Sequence, residues 1–178
     1  MVRAKLSPRV NSMEKSRLRY LAFFINSVLL ILLFVLRYSG LATLAIGQAV
    51  PITLIPFVAA IALFYGEWYG AAAGFVAGAL MDSVMTGSSC FNTLTVMLLG
   101  LICGILSTYY LNKNIQAAAC VSLGASFLYL FTRLIFFYSF KGISPGAEYY
   151  GSYFIPTIFY TALFIIPFYF LEKKLKSL

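Results

Sequence analysis

The sequence predicts an all-α membrane protein, a polytopic bundle of six transmembrane helices with both termini in the cytoplasm. Three observations carry that expectation. Only 10% of the 178 residues are charged and 62% are apolar, against about 25% charged in an ordinary soluble domain, so there is too little charge to cover a water-exposed globule. Mean hydropathy is +0.92, and the apolar residues fall in long blocks separated by brief polar breaks, the pattern a lipid solvent imposes. No stretch alternates apolar and polar residues over about ten positions, as the strands of a membrane barrel would.

Taken in order, residues 1–19 read as a basic cytoplasmic segment too polar to bury a core, residues 20–171 as the transmembrane domain, and residues 172–178 as a basic cytoplasmic tail. A helix crossing about 30 Å of hydrocarbon needs about 20 residues at 1.5 Å each. The first predicted span runs from Tyr20 to Leu36. Basic residues precede it, as in a signal peptide, but Arg37 follows without a small-x-small cleavage site, so it reads as a retained helix. The second runs from Val50 to Tyr65, or from Leu41 because the intervening residues carry no charge, and Pro51 and Pro56 are its candidate kink points. The third spans Tyr69 to Thr86, the fourth Phe91 to Leu111 and the fifth Ile115 to Phe140. The sixth spans Tyr153 to Leu171 and contains Pro156 and Pro167.

Orientation follows from Lys and Arg, which stay on the cytoplasmic side of short loops. With the amino terminus inside, Arg3, Lys5, Arg9, Lys15, Arg17, Arg19, Lys113, Lys173, Lys174 and Lys176 are cytoplasmic. Only Arg37 and Lys141 are outside, and Arg133 lies within a helix. An odd helix count would put the basic carboxyl end on the wrong side. The same placement accounts for the net charge of +8 without a nucleic acid partner, because the basic residues sit at helix ends and not on one face. Tyr20, Trp68, Tyr109, Tyr110, Tyr149 and Tyr150 cluster near the predicted boundaries, where amphipathic rings favour the headgroup zone.

Several residues are candidates for function. Gly70, Gly74 and Gly78 recur every fourth position in the third span, and Gly100 and Gly104 repeat the device in the fourth. Such stripes let another backbone approach closely, either within the bundle or on a partner membrane protein. Asp82 and Arg133 lie at similar depth in the third and fifth spans, and a charge in the membrane interior needs a partner, so an intramembrane ion pair is expected between them. Gly66, Glu67 and Trp68 form the cytoplasmic turn between the second and third spans, with Gly66 allowing the reversal and Trp68 anchoring it. Gly87 is suited to a positive φ in the short outward turn before the fourth span. Enzymatic chemistry finds no support. There is no histidine and no phosphate loop or dinucleotide fingerprint. The five carboxylates are scattered, and Cys90, Cys103 and Cys120 lack metal or redox spacing. No cofactor and no metal are expected.

The stretch from Pro51 to Leu106 carries a more specific pattern. Pro56-Phe57-Val58 is followed by Ala62-Leu63-Phe64-Tyr65-Gly66-Glu67, then Gly70-Ala71, Gly74-Phe75 and Gly78-Ala79-Leu80-Met81-Asp82, and finally Gly100 to Gly104. This resembles the rod shape-determining protein MreD family, whose size and helix number also agree. The resemblance implies a non-enzymatic subunit of the bacterial cell-elongation machinery in the plasma membrane. Its implied partners are an MreC-like bitopic membrane protein and the peptidoglycan-synthesising elongation complex coupled to MreB filaments. A second class of similar size and helix number is the substrate-binding membrane component of an energy-coupling-factor vitamin transporter. That protein needs an outward pocket of convergent polar groups, for which Asp82, Asn92, Arg133 and the outer loops are the candidates.

Overall fold

The computed structural model describes residues 8–39, 51–84, 90–110, 114–141 and 154–177, and all regular structure among them is helical. In chain order the helices are α1 (Pro8–Tyr38), α2 (Leu54–Tyr65), α3 (Glu67–Val84), α4 (Phe91–Tyr109), α5 (Ile115–Lys141), α6 (Ile155–Leu163) and α7 (Ile165–Ser177). They fall on the six predicted apolar stretches, the last of which is divided in two. Three helical runs are long and apolar enough to cross a membrane: Phe91–Tyr109, Ile115–Phe136 and Ile155–Lys176. Ala22–Tyr38 and Leu54–Tyr65 are apolar but shorter, and α3 is diluted by three glycines and two carboxylates.

The second span departs most from expectation. Its helix has 12 residues, about 18 Å, well short of a hydrocarbon layer. Every residue from Leu54 to Phe64 is buried, and a helix that is apolar all round belongs in a core. α2 is therefore the central pillar, packed against α3, α4, α5 and α7. Pro56 does not kink it, because it sits in the first turn, where its missing N–H would have had no partner in the helix. Before it, Pro51, Ile52 and Thr53 run buried in non-helical backbone, which is tolerated at membrane depth only where protein satisfies it. Protein does so here. The Ile52 amide donates to Thr161 Oγ1 at 3.1 Å, Arg37 donates to the Pro51 carbonyl, and the Ile52 carbonyl accepts from Ile55 at 3.1 Å.

The sixth span breaks at Phe164 for a local reason. Pro167 has no N–H, and its ring crowds the carbonyl of Leu163; the Phe164 amide meanwhile bonds Thr161 at 3.2 Å. Pro156 falls at the helix start and is harmless. Two predicted boundaries also move. α1 starts at Pro8, inside the segment expected to be a polar extension, and α7 continues to Ser177, through the segment expected to be a tail. Around the pillar the outer surface is apolar: Phe24 on α1, Phe75 on α3, Leu94 on α4 and Phe159 on α6 are exposed, a surface compatible with lipid contact. Gly87, Lys113, Tyr149 and Tyr150 lie outside the described residues.

Candidate functional site

The tightest helix pair is α3 with α4, and the glycine stripes make it so. A Cβ on Gly70 would strike the Gly100 carbonyl and Ala62, one on Gly74 the backbone of Val96 and Met97, and one on Gly78 the backbone of Asn92 and Thr93. From the other side, Cβ atoms on Gly100 and Gly104 would meet Gly70 and the Gly66–Glu67 backbone. All five glycines thus face backbone across the hairpin, Gly70 and Gly100 each other, and of the two readings open in sequence the stripe is an internal packing surface. Close backbone approach replaces the hydrophobic drive that lipid cannot provide.

Asp82 closes the end of this hairpin at which α3 leads into α4. Its Oδ1 accepts from the Asn92 amide at 3.1 Å and from Asn92 Nδ2 at 2.9 Å. Its Oδ2 accepts from the Thr93 amide at 2.8 Å and Thr93 Oγ1 at 2.6 Å. The carboxylate thus caps the first turn of α4 from the preceding helix, where the helix dipole and unpaired amides favour a negative charge. Cys90, the residue before α4, takes a left-handed φ of 57° and makes no side-chain cap. Tyr129 of α5 is tied to this hairpin through Asn92: its hydroxyl donates to Asn92 Oδ1 at 2.7 Å. Arg133, half-buried, lies one turn further along α5. Asp82 thus has four donors from Asn92 and Thr93.

At the opposite end, Gly66 makes the whole α2–α3 turn, with a φ of 94° that a side chain would rarely adopt. Three donors meet the last carbonyls of α2. The Gly66 amide bonds Ala62 at 2.9 Å, Ser107 Oγ bonds Leu63 at 2.6 Å, and Lys176 Nζ bonds Phe64 at 2.7 Å. A cation is favoured there by the helix dipole as well as by the open carbonyl. Glu67 is half-buried in the first turn of α3, the sign of charge a helix start prefers. Trp68, Tyr109 and Tyr110 are strongly exposed around the same end, as expected of an interfacial belt.

Sequence reasoning missed one group of residues at this end. Glu172, assigned to the polar tail, is fully buried, and Asn26 of α1 is 7% exposed. Together with Tyr65 they bring one polar group from each of three helices to one place. Neither oxygen of Glu172, nor Asn26 Oδ1, nor the Tyr65 hydroxyl completes a hydrogen bond of good geometry. The only hint in the sequence is the four-residue spacing of Phe168 and Glu172, which puts the carboxylate on a buried stripe of α7. Among the described residues no group of histidine, cysteine and carboxylate side chains is placed to hold a metal ion. Comparison with known proteins finds no matching family model, no matching curated protein and no matching solved structure.

Proposed function

We propose that this chain is a non-catalytic integral subunit of the bacterial cell-elongation machinery, a scaffold in the plasma membrane for partner proteins that shape the cell wall. The supporting observation is the core formed by α2, α3 and α4. The residues that resemble the MreD family, from Pro56 through the glycine-spaced helix to Asp82 and on to Gly104, are the ones that build this core and its two turns. Their chemistry is spent on holding helices together, which fits a scaffold. In this reading the chain crosses the membrane six times with both termini in the cytoplasm, and an MreC-like bitopic protein and elongation-complex proteins bind its lipid-facing or loop surfaces. The transporter reading has less support, because Asp82 and Asn92, two of the side chains expected in its pocket, hydrogen-bond each other, Thr93 and Tyr129.

Affinity purification of the full chain in mild detergent, with mass spectrometry of what accompanies it, tests the assignment. A single-span protein with wall-synthesis partners is the expected companion. Recovery of a pair of transporter ATPases, or of a bound vitamin, overturns it.

A further inference from the structure

Glu172 stands out in the buried interior. It is fully enclosed, yet neither oxygen meets a donor in good geometry, and on the two side chains that interact with it, Asn26 and Tyr65, Asn26 Oδ1 and the Tyr65 hydroxyl are likewise unmatched. The surroundings are apolar or aromatic. Phe168 and Tyr169 of α7 are buried one turn earlier, and Ala22 is buried one turn before Asn26 on α1. Ionisable neighbours are few among the described residues. Tyr65 comes from α2, and Glu67 follows it across Gly66; on α7 itself, Lys173 lies over the Tyr169 ring and Lys176 binds the Phe64 carbonyl. On the facing half of α5 the buried residues Ala118, Val121 and Ser122 are uncharged.

An ionised carboxylate without donors or counterion is strongly disfavoured in such a place. A protonated one has an O–H to give and a carbonyl oxygen that accepts. One added proton therefore matches the unpaired atoms: the acid hydrogen goes to Asn26 Oδ1, and the Tyr65 hydroxyl gives its hydrogen to the acid carbonyl. Small side-chain rotations complete both bonds. We propose that Glu172, Asn26 and Tyr65 form a proton-binding site that latches α7 to α1 and α2, and that losing the proton loosens this junction. The proton comes from water at the Gly66 end of the bundle and returns there, with no other reactant. The inference stands apart from the scaffold assignment and does not require it.

Infrared difference spectroscopy on the full chain in lipid nanodiscs tests it, comparing the wild type with Glu172→Gln. A protonated carboxyl C=O band is expected at neutral pH in the wild type and is lost in Glu172→Gln. Because Gln reproduces the shape and neutrality of the acid, that variant keeps the unfolding temperature of the wild type. Tyr65→Phe, which removes one donor and leaves the acid, shifts the band to higher frequency. Absence of any Glu172-dependent acid band at neutral pH overturns the proposal; it would mean that the Asn26 amide is turned over and donates to a carboxylate. A Glu172-dependent carboxylate band that moves on adding sodium ions also overturns it, in favour of a metal cation, and so does an acid band indifferent to Tyr65→Phe.

Discussion

A carboxylate in an apolar helix invites a search for a cation, yet Asp82 is held by amides and hydroxyls from two residues of the next helix. The bonds span 10 and 11 residues, across a turn, and the familiar capping signal is read within a single helix start. Cys90 at that start makes no side-chain cap, so nothing local announces that the cap comes from α3. Asp82→Ala should lower stability by about 2–3 kcal/mol, the cost of charged hydrogen bonds lost with buried donors left behind, measured by unfolding in detergent. Tyr129→Phe should cost about 1 kcal/mol by stranding Asn92 Oδ1. In double-mutant cycles Asp82 should couple more strongly to Thr93 than to Arg133; the reverse ranking would make the expected ion pair the main constraint on Asp82.

Helices were the most legible level of the molecule. Long apolar runs located all of them, and the four-residue glycine spacing marked the α3–α4 contact, because in lipid a close backbone approach leaves that trace. Which surface a stripe faces is a tertiary fact, and here Gly124 gives the contrast. A Cβ at Gly124 meets nothing within 4 Å, whereas one at Gly100 runs into the backbone of Gly70. Gly100→Ala should therefore destabilise by about 1–3 kcal/mol through overpacking, while Gly124→Ala should be neutral or gain up to about 1 kcal/mol from helix propensity. Thermal unfolding of the two variants side by side decides this, and equal losses would argue against the packing face. The length of α2 was not legible. Hydropathy treats Pro51 to Tyr65 as one apolar run and cannot see that its first three residues leave the helix to bond Thr161 and Arg37.

For the whole molecule, the charge distribution predicts that the Gly66 end faces the cytoplasm. Single cysteines at Trp68 and Tyr110, placed in a background without Cys90, Cys103 and Cys120, should react with a membrane-impermeant thiol reagent only in inverted vesicles. Labelling of either in intact cells would reverse the orientation. Hydropathy captured the outer ring of this bundle well, since lipid-facing helices must be apolar whatever they touch. It said little about the interior, where Glu172 reads as tail and Asn26 as an incidental polar residue in a hydrophobic run. Their juxtaposition depends on α1, α2 and α7 meeting, and no sequence neighbour of any of the three records that meeting.

The enclosed position of α2 also sets an order of assembly. It is made second, yet the groups that close its two ends come from far downstream: Thr161 lies 109 residues beyond Ile52, and Lys176 lies 112 beyond Phe64. While ribosomes are still making α3 to α5, neither the Thr161 acceptor for the Ile52 amide nor the Lys176 donor for the Phe64 carbonyl yet exists. Contacts of such sequence separation form late, after the loop entropy has been met. The last turn of α7 is thus the keystone of a structure whose centre was laid down almost first, and quality control that inspects unfinished membrane chains has a defined moment at which to act on this one.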